Sequence, residues 1–360
     1  MVRRVVLVLT GLLVPAVAAG QRPGYFYRGR EYGSETAFRP GTAILHSGYF
    51  NFQIDNRGDD PFALPYGEGL ENVARNLADP IGAINRFGWK RFLTTEILPN
   101  PSRNGGQWVA NYFGHVLGEG LVYRYLAEWY AYHGYPHARL LGVLTMSAGA
   151  LLNEVVENGA YHGANVDPIA DFYIFNPLGV LVFSSDKVVR FLSGPLHMTY
   201  WPRQAAYDPF VRSLENVGYR TVFKIRPGGR RSPLGVFASY GSQGFLGATY
   251  WLDIEHALSV AGGVAARDLV EVPDTPAGSR AVTATLGAAF GAFLDRNNSL
   301  LASVVVTPQK REVAVLNVYP GVVGHGRVRP GFSVAWDREA GLKLSVHLAA
   351  FPVGLAARIN

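Results

Sequence analysis

From about residue 218 onward the chain alternates in polarity with a period of two, in segments of about ten residues. Tyr219, Thr221, Phe223 and Ile225 alternate with Arg220, Val222, Lys224 and Arg226. Val282, Ala284, Leu286, Ala288, Phe290 and Ala292 alternate with Thr283, Thr285, Gly287, Ala289 and Gly291, and Leu342, Leu344, Val346 and Leu348 with Lys343, Ser345, His347 and Ala349. Successive side chains of a strand point to opposite faces, so each segment has one apolar face and one small or polar face. Turn signals separate the segments, among them Pro227-Gly228-Gly229, Asp274 to Gly278, Asp295 to Asn298, Pro308 to Arg311 and Asp337 to Gly341. The pattern predicts an antiparallel sheet of eight to ten strands over 215–360.

Such a sheet either turns its apolar face into a water-soluble sandwich or presents it to lipid as a barrel with a polar lumen. Composition favours the barrel. Only 17% of the residues are charged, against about 25% in a typical soluble domain. The 42 glycines in 360 residues exceed the usual share of about 7%. Tyr250, Trp251, Tyr319 and Trp336 fall near expected strand ends, where an interfacial aromatic girdle belongs. There is no Cys, which excludes a disulfide scaffold, Cys-ligated zinc, iron–sulfur clusters and thiol catalysis.

The N-terminus carries Arg3 and Arg4, an apolar stretch from Val5 to Val14, and the small-residue exit Pro15-Ala16-Val17-Ala18-Ala19-Gly20. This reads as a signal peptide over 1–20, so the expected location is the outer membrane or periplasm of a Gram-negative bacterium, with membrane lipid as a partner. Removing the two arginines lowers the formal net charge from +6 to +4. The remaining arginines are scattered, so no nucleic-acid partner is expected. Residues 21–66 form an extended segment with a strand expected in Ala43 to Ile54. Residues 67–200 carry helical punctuation, with Asp79-Pro80, Asp167-Pro168 and Asn176-Pro177 as capping residues before first-turn prolines. Four to five helices are predicted, the clearest at 79–97, 105–133, 137–158 and 168–192, the last restarting at Asn176. The fold class is thus α+β, a helical region followed by an antiparallel barrel.

Polar residues interrupt these apolar helices. Asn111, His115 and Glu119 are spaced by four and share a helix face. Ser147, Glu154 and Glu157 recur at seven and three, and Asp167, Asp171 and Asn176 follow. Buried carboxylates cost several kcal/mol each unless paired, protonated or bound to a cation. The order Asn111-Tyr-Phe-Gly-His115, then Glu154-Val-Val-Glu157, then Asp171 to Asn176-Pro-Leu-Gly179 resembles an uncharacterised family of bacterial envelope proteins, a domain of unknown function, and is distantly similar to VanZ-like membrane proteins. The resemblance covers about residues 105–192. It implies an envelope location and marks His115, Glu154, Glu157, Asp171, Asn176 and Gly179, without supplying a reaction.

Each of these residues has a packing role open to it beside a chemical one. His115 is a core histidine bonded to Glu119 or to a neighbouring helix, or a general base oriented by Glu154 or Asp171. Glu154 and Glu157 bond to exposed helix ends or to Arg124 and Arg139, or ligate a metal of the Mg, Ca, Mn or di-iron kind, although the paired E-x-x-H signature is missing. Asp167 and Asn176 read as helix caps. No cofactor is assigned. Two functions follow: a non-catalytic envelope protein whose polar cluster holds helices in register, or an outer-membrane lipid-modifying hydrolase or acyltransferase built on His115 and a carboxylate. No nucleophile or metal motif is complete, and the first is preferred.

Overall fold

A computed structural model describes residues 24–53, 60–99, 107–159, 165–271, 282–324 and 329–359. The expected signal peptide and the Asp274 to Gly278 turn lie outside these residues. Eight helices precede the sheet among the described residues, where the sequence predicts four or five. They are α1 (Pro40–Gly48), α2 (Tyr66–Ala78), α3 (Pro80–Phe87), and α4 (Trp89–Phe92, continued by a π turn over Leu93–Ile97). Next come α5 (Gly120–Tyr132, preceded by a π-helical stretch over Ala110–Glu119), α6 (Ala138–Asn158), α7 (Asp167–Ser184) and α8 (Asp186–Ser193).

The excess has local causes. Gly88, at φ 98°, splits the predicted 79–97 helix into α3 and α4. Asp79 caps α3 as expected, accepting from Gly82 N at 3.0 Å. Over its described residues, to Gln53, the strand expected in Ala43 to Ile54 is helical instead: Pro40 occupies the first turn, Arg39 N donates to Thr42 Oγ1, and Ala43, His46 and Ser47 bury one helical face. Regular α-helix resumes at Asn176 with Pro177 in its first turn, as the Asn176-Pro177 signal predicts, but the chain reaches it through a continuous π turn over Asp171–Phe175 and Asn176 makes no side-chain cap. The 21-residue α6 is long and apolar enough to cross a membrane by length and composition.

The sheet has thirteen strands among the described residues; ten lie within residues 219–359, in keeping with the eight to ten predicted over 215–360, three short ones precede them, and the sheet is curled into an open half-barrel where a barrel was expected. Short strands β1 (Thr199–Pro202), β2 (Ala206–Asp208) and β3 (Ser213–Glu215) come first. The long hairpin series is β4 (Tyr219–Ile225), β5 (Leu234–Gly241), β6 (Gln243–Trp251), β7 (His256–Glu271), β8 (Val282–Arg296), β9 (Ser299–Val306), β10 (Glu312–Val318), β11 (Pro330–Asp337), β12 (Gly341–Leu348) and β13 (Gly354–Ile359). The order is β1-β4-β5-β6-β7-β8-β9-β10-β11-β12-β13-β2-β3, antiparallel throughout except that β2 runs parallel to β13. One stretch, Thr199 to Asp208, thus bonds to β4 at its start and to β13 at its end. Asn297 and Asn298, both at positive φ, make the two-residue turn between β8 and β9 that the Asp295 to Asn298 signal predicts.

Polarity is inverted relative to a soluble sandwich. Along β12, Leu342, Leu344, Val346 and Leu348 are exposed, while Lys343, Ser345 and His347 are buried. Leu246 on β6, Leu286 on β8 and Leu355 on β13 are 67%, 64% and 70% exposed. The concave side is filled with polar groups. Lys224 on β4 reaches across to Asp295 on β8 at 2.6 Å, both 1% exposed, although three strands separate β4 and β8 in the sheet. Thr249 pairs with Ser259, and Lys343 contacts Glu215 and Asp337 at 2.7 and 3.1 Å. Trp201, Phe237, Phe245 and Phe293 form the inner apolar plug. The helices cover the outside of one arc: Tyr200 and Tyr219 join the core made by Leu121, Tyr125, Leu126 and Phe183, and Phe113 meets Tyr240.

Candidate functional site

The helical layer builds a carboxylate-rich centre where the predicted residues meet. His115 Nε2 lies 3.1 Å from Asp171 Oδ2, and its Nδ1 lies 3.1 Å from Asn176 Oδ1. The partner of His115 is therefore Asp171 and not Glu119. Asp171 and Asn176 are five residues apart, which in a regular α-helix places them roughly 0.4 of a turn out of line. The π turn over Asp171–Phe175 widens α7 there and lets both side chains clasp one imidazole. One turn further on, Gly179 allows α7 to touch α5: a Cβ on it would stand 2.9 Å from the carbonyl oxygens of His115 and Val116. The D-x-x-x-x-N-x-x-G spacing thus has a mechanical meaning.

The three residues spaced by four on α5 do not converge. Asn111 donates to Glu96 on α4, through the backbone oxygen at 3.0 Å and Oε2 at 3.3 Å. Glu119 accepts from the Tyr219 hydroxyl at 3.0 Å, at the junction with β4. Burial pushes its carboxyl up to about 7, against the opposing bond from Tyr219.

Asp167 is the first residue of α7 but does not serve as the expected cap. Its carboxylate joins those of Glu154 and Glu157, with one oxygen of each within 4.8 Å of the others. Neither glutamate pairs with Arg124 or Arg139, since those arginines engage Asp186, and Arg124 also Glu128. Asn158 donates to the Glu154 backbone oxygen at 2.6 Å and to Oε2 at 3.4 Å, and Asn51 donates to Glu157 Oε2 at 2.8 Å. Asp171 lies against Glu154, and Glu96 against Asp167. Six ionisable groups from α4, α5, α6 and α7 therefore form one chain. Glu96 is the member that sequence reasoning missed; its signal was a lone carboxylate, Thr94-Thr95-Glu96-Ile97-Leu98, at the apolar end of a predicted helix.

Burial, and then the neighbouring carboxylates, hold Glu154, Asp167 and Asp171 well above the usual carboxylate range. Burial also raises Glu96, against bonds from Thr95 and Asn111. Burial pushes His115 down to about 4, offset in part by Asn176, so the ring is neutral near pH 7. A neutral ring has one N–H. Donated from Nε2 to Asp171, it leaves Nδ1 an acceptor. That acceptor is satisfied when the Asn176 amide presents Nδ2, an atom otherwise without a partner.

Comparison with protein-family models, curated proteins and solved structures finds no match to this chain. The chemistry of the centre therefore rests on its geometry. Carboxylates at this density suit a hard cation or shared protons, and the His–Asp contact suits orientation of the imidazole.

Proposed function

We propose that the protein is a non-catalytic component of the bacterial envelope, held in the outer membrane by the convex face of its curled sheet. The observation that carries this reading is the inverted polarity of the strands. Exposed Leu246, Val260, Phe290, Val304, Phe332, Val346 and Leu355 run over strands β6 to β13, and their opposite faces hold Ser, Thr, Lys, Asp and His. Water penalises that surface by about 25 cal/mol for each Å² of apolar area left exposed. A bilayer does not, and strands β6, β7 and β8, of 9, 16 and 15 residues, meet the ~9–11 residues a tilted spanning strand requires.

The alternative, a lipid-modifying hydrolase or acyltransferase, needs a histidine with a ring nitrogen available to take a proton from substrate or nucleophile. Both His115 nitrogens are engaged, by Asp171 and Asn176, and this supports the non-catalytic reading.

The test is retention in isolated outer membranes after a urea wash, compared with a Leu246→Arg, Val260→Arg variant. Each arginine at a lipid-facing midplane position costs about 2–4 kcal/mol, so the wild type should stay in the membrane and the variant should fall at least tenfold in retained protein. A wild type recovered as a folded soluble monomer would overturn the membrane reading.

A further inference from the structure

The carboxylate centre is compensated by too little positive charge for its burial. The charges acting most strongly on Glu154, Asp167 and Asp171 are those of one another and of Glu96 and Glu157. A second, independent observation concerns Asp171, which is 1% exposed. Its Oδ2 is taken by His115 Nε2, and its Oδ1 is buried without a hydrogen-bond partner, on a side chain that lies against Glu154. An orphaned carboxylate oxygen in a dry site is costly, and a bound cation removes that cost. Glu154, Glu157 and Asp167 can already direct one oxygen each to a common point.

We propose that Glu154, Glu157 and Asp167 bind a hard divalent cation of the calcium, magnesium or manganese class, with Asp171 beside Glu154 and His115 holding Asp171 in place. All-oxygen ligation is what these ions take, and the donor set lacks the thiolates or paired imidazoles that softer metals prefer. Glu157 is the solvent-facing member and supplies the entry side. His115 acts as a positioning residue: its N–H fixes one oxygen of Asp171, as outer-shell partners do for metal-bound carboxylates. The inference stands independently of the membrane reading.

The experiment uses the full chain, purified in detergent, stripped with EDTA and dialysed. It is titrated separately with CaCl2, MgCl2 and MnCl2 by calorimetry, and bound metal is counted by mass spectrometry. About one ion per chain is expected for at least one of the three, with a raised thermal midpoint. Glu157→Gln, at an exposed position that leaves folding intact, should weaken binding at least tenfold. Glu157→Gln with Asp167→Asn should abolish it, yet melt no lower than the stripped wild type because like charges have been removed. His115→Gln should weaken binding about 10–100-fold, the range for outer-shell partners. A folded, stripped wild type that takes up none of the three ions at millimolar concentration would overturn the proposal. So would a Glu157→Gln, Asp167→Asn variant that binds as tightly as wild type.

Discussion

His46 shows how a single buried side chain ties the two halves of the molecule together. It sits on α1, is 2% exposed, and accepts at Nδ1 from the backbone N–H of Gly218, at the entry to β4, at 3.0 Å. Burial, with Arg203 and His347 adding to it, pushes its pKa down to about 3 from 6.5. The folded state therefore resists a proton that the unfolded chain accepts below 6.5. Its contribution to stability is complete above that value and is lost as pH falls from 6.5 towards 3, at up to about 1.4 kcal/mol per pH unit. The raised carboxylates act with the opposite sign, so the difference between variants isolates His46. Denaturant midpoints at pH 7.5 and 5.0 should fall more steeply for wild type than for His46→Gln, whose amide oxygen still accepts from Gly218 but does not titrate. Equal slopes would show that His46 titrates normally.

At the scale of elements, two contacts decide the arrangement. Gly179 on α7 and Gly120 at the start of α5 let the helices approach until only hydrogen atoms fit between them, since a Cβ on Gly179 would meet two backbone carbonyls and the Gly120 Cα. Backbone atoms cannot rotate away as a flexible side chain would. Gly179→Ala should push α5 from α7, lengthen the His115 contacts and cost about 1–3 kcal/mol in chemical unfolding. An unchanged midpoint would mean that the helices part without loss. In the sheet, the Lys224–Asp295 pair joins β4 to β8 across the concave side, and Asp295 Oδ1 also accepts from Asn298 N at 3.0 Å in the β8–β9 turn. Lys224→Met strands a buried carboxylate and should destabilise by about 3–5 kcal/mol. Adding Asp295→Asn should recover most of that loss. If the single change costs nothing, water reaches Asp295 and the concave side is wetter than the packing indicates.

For the whole molecule, a helical layer and a curled sheet share one wall, and an inverted surface covers the rest. The alternation, though not its direction, was legible in the sequence as a period of two, because strand geometry sends alternate residues to opposite faces whatever the sheet packs against. Helices α5 and α6 were legible within a few residues of their ends, whereas the Asp79-Pro80 signal and the 168–192 run each marked the outer bounds of two helices, α3 with α4 and α7 with α8. The helix at Pro40–Gly48 was not, because Ala43 to Ile54 alternates locally and only contact with α6 and β4 favours the helical face. His115, Glu154, Glu157, Asp171 and Asn176 were each identifiable as polar residues in apolar helices. Their pairing was not, since the π turn that aligns Asp171 with Asn176 and the π turn that carries Glu96 beside Asp167 leave no periodic trace.

By itself, then, the sequence determined most element types, the helix at Pro40–Gly48 excepted, and which face of each strand is apolar, since both follow from local backbone geometry and residue spacing. Only the tertiary structure decided which way the apolar face points, that Thr199 to Asp208 links the two ends of an open half-barrel, and that carboxylates from three helices meet. Those outcomes depend on contacts between segments tens to more than a hundred residues apart, and no local pattern records where such segments meet.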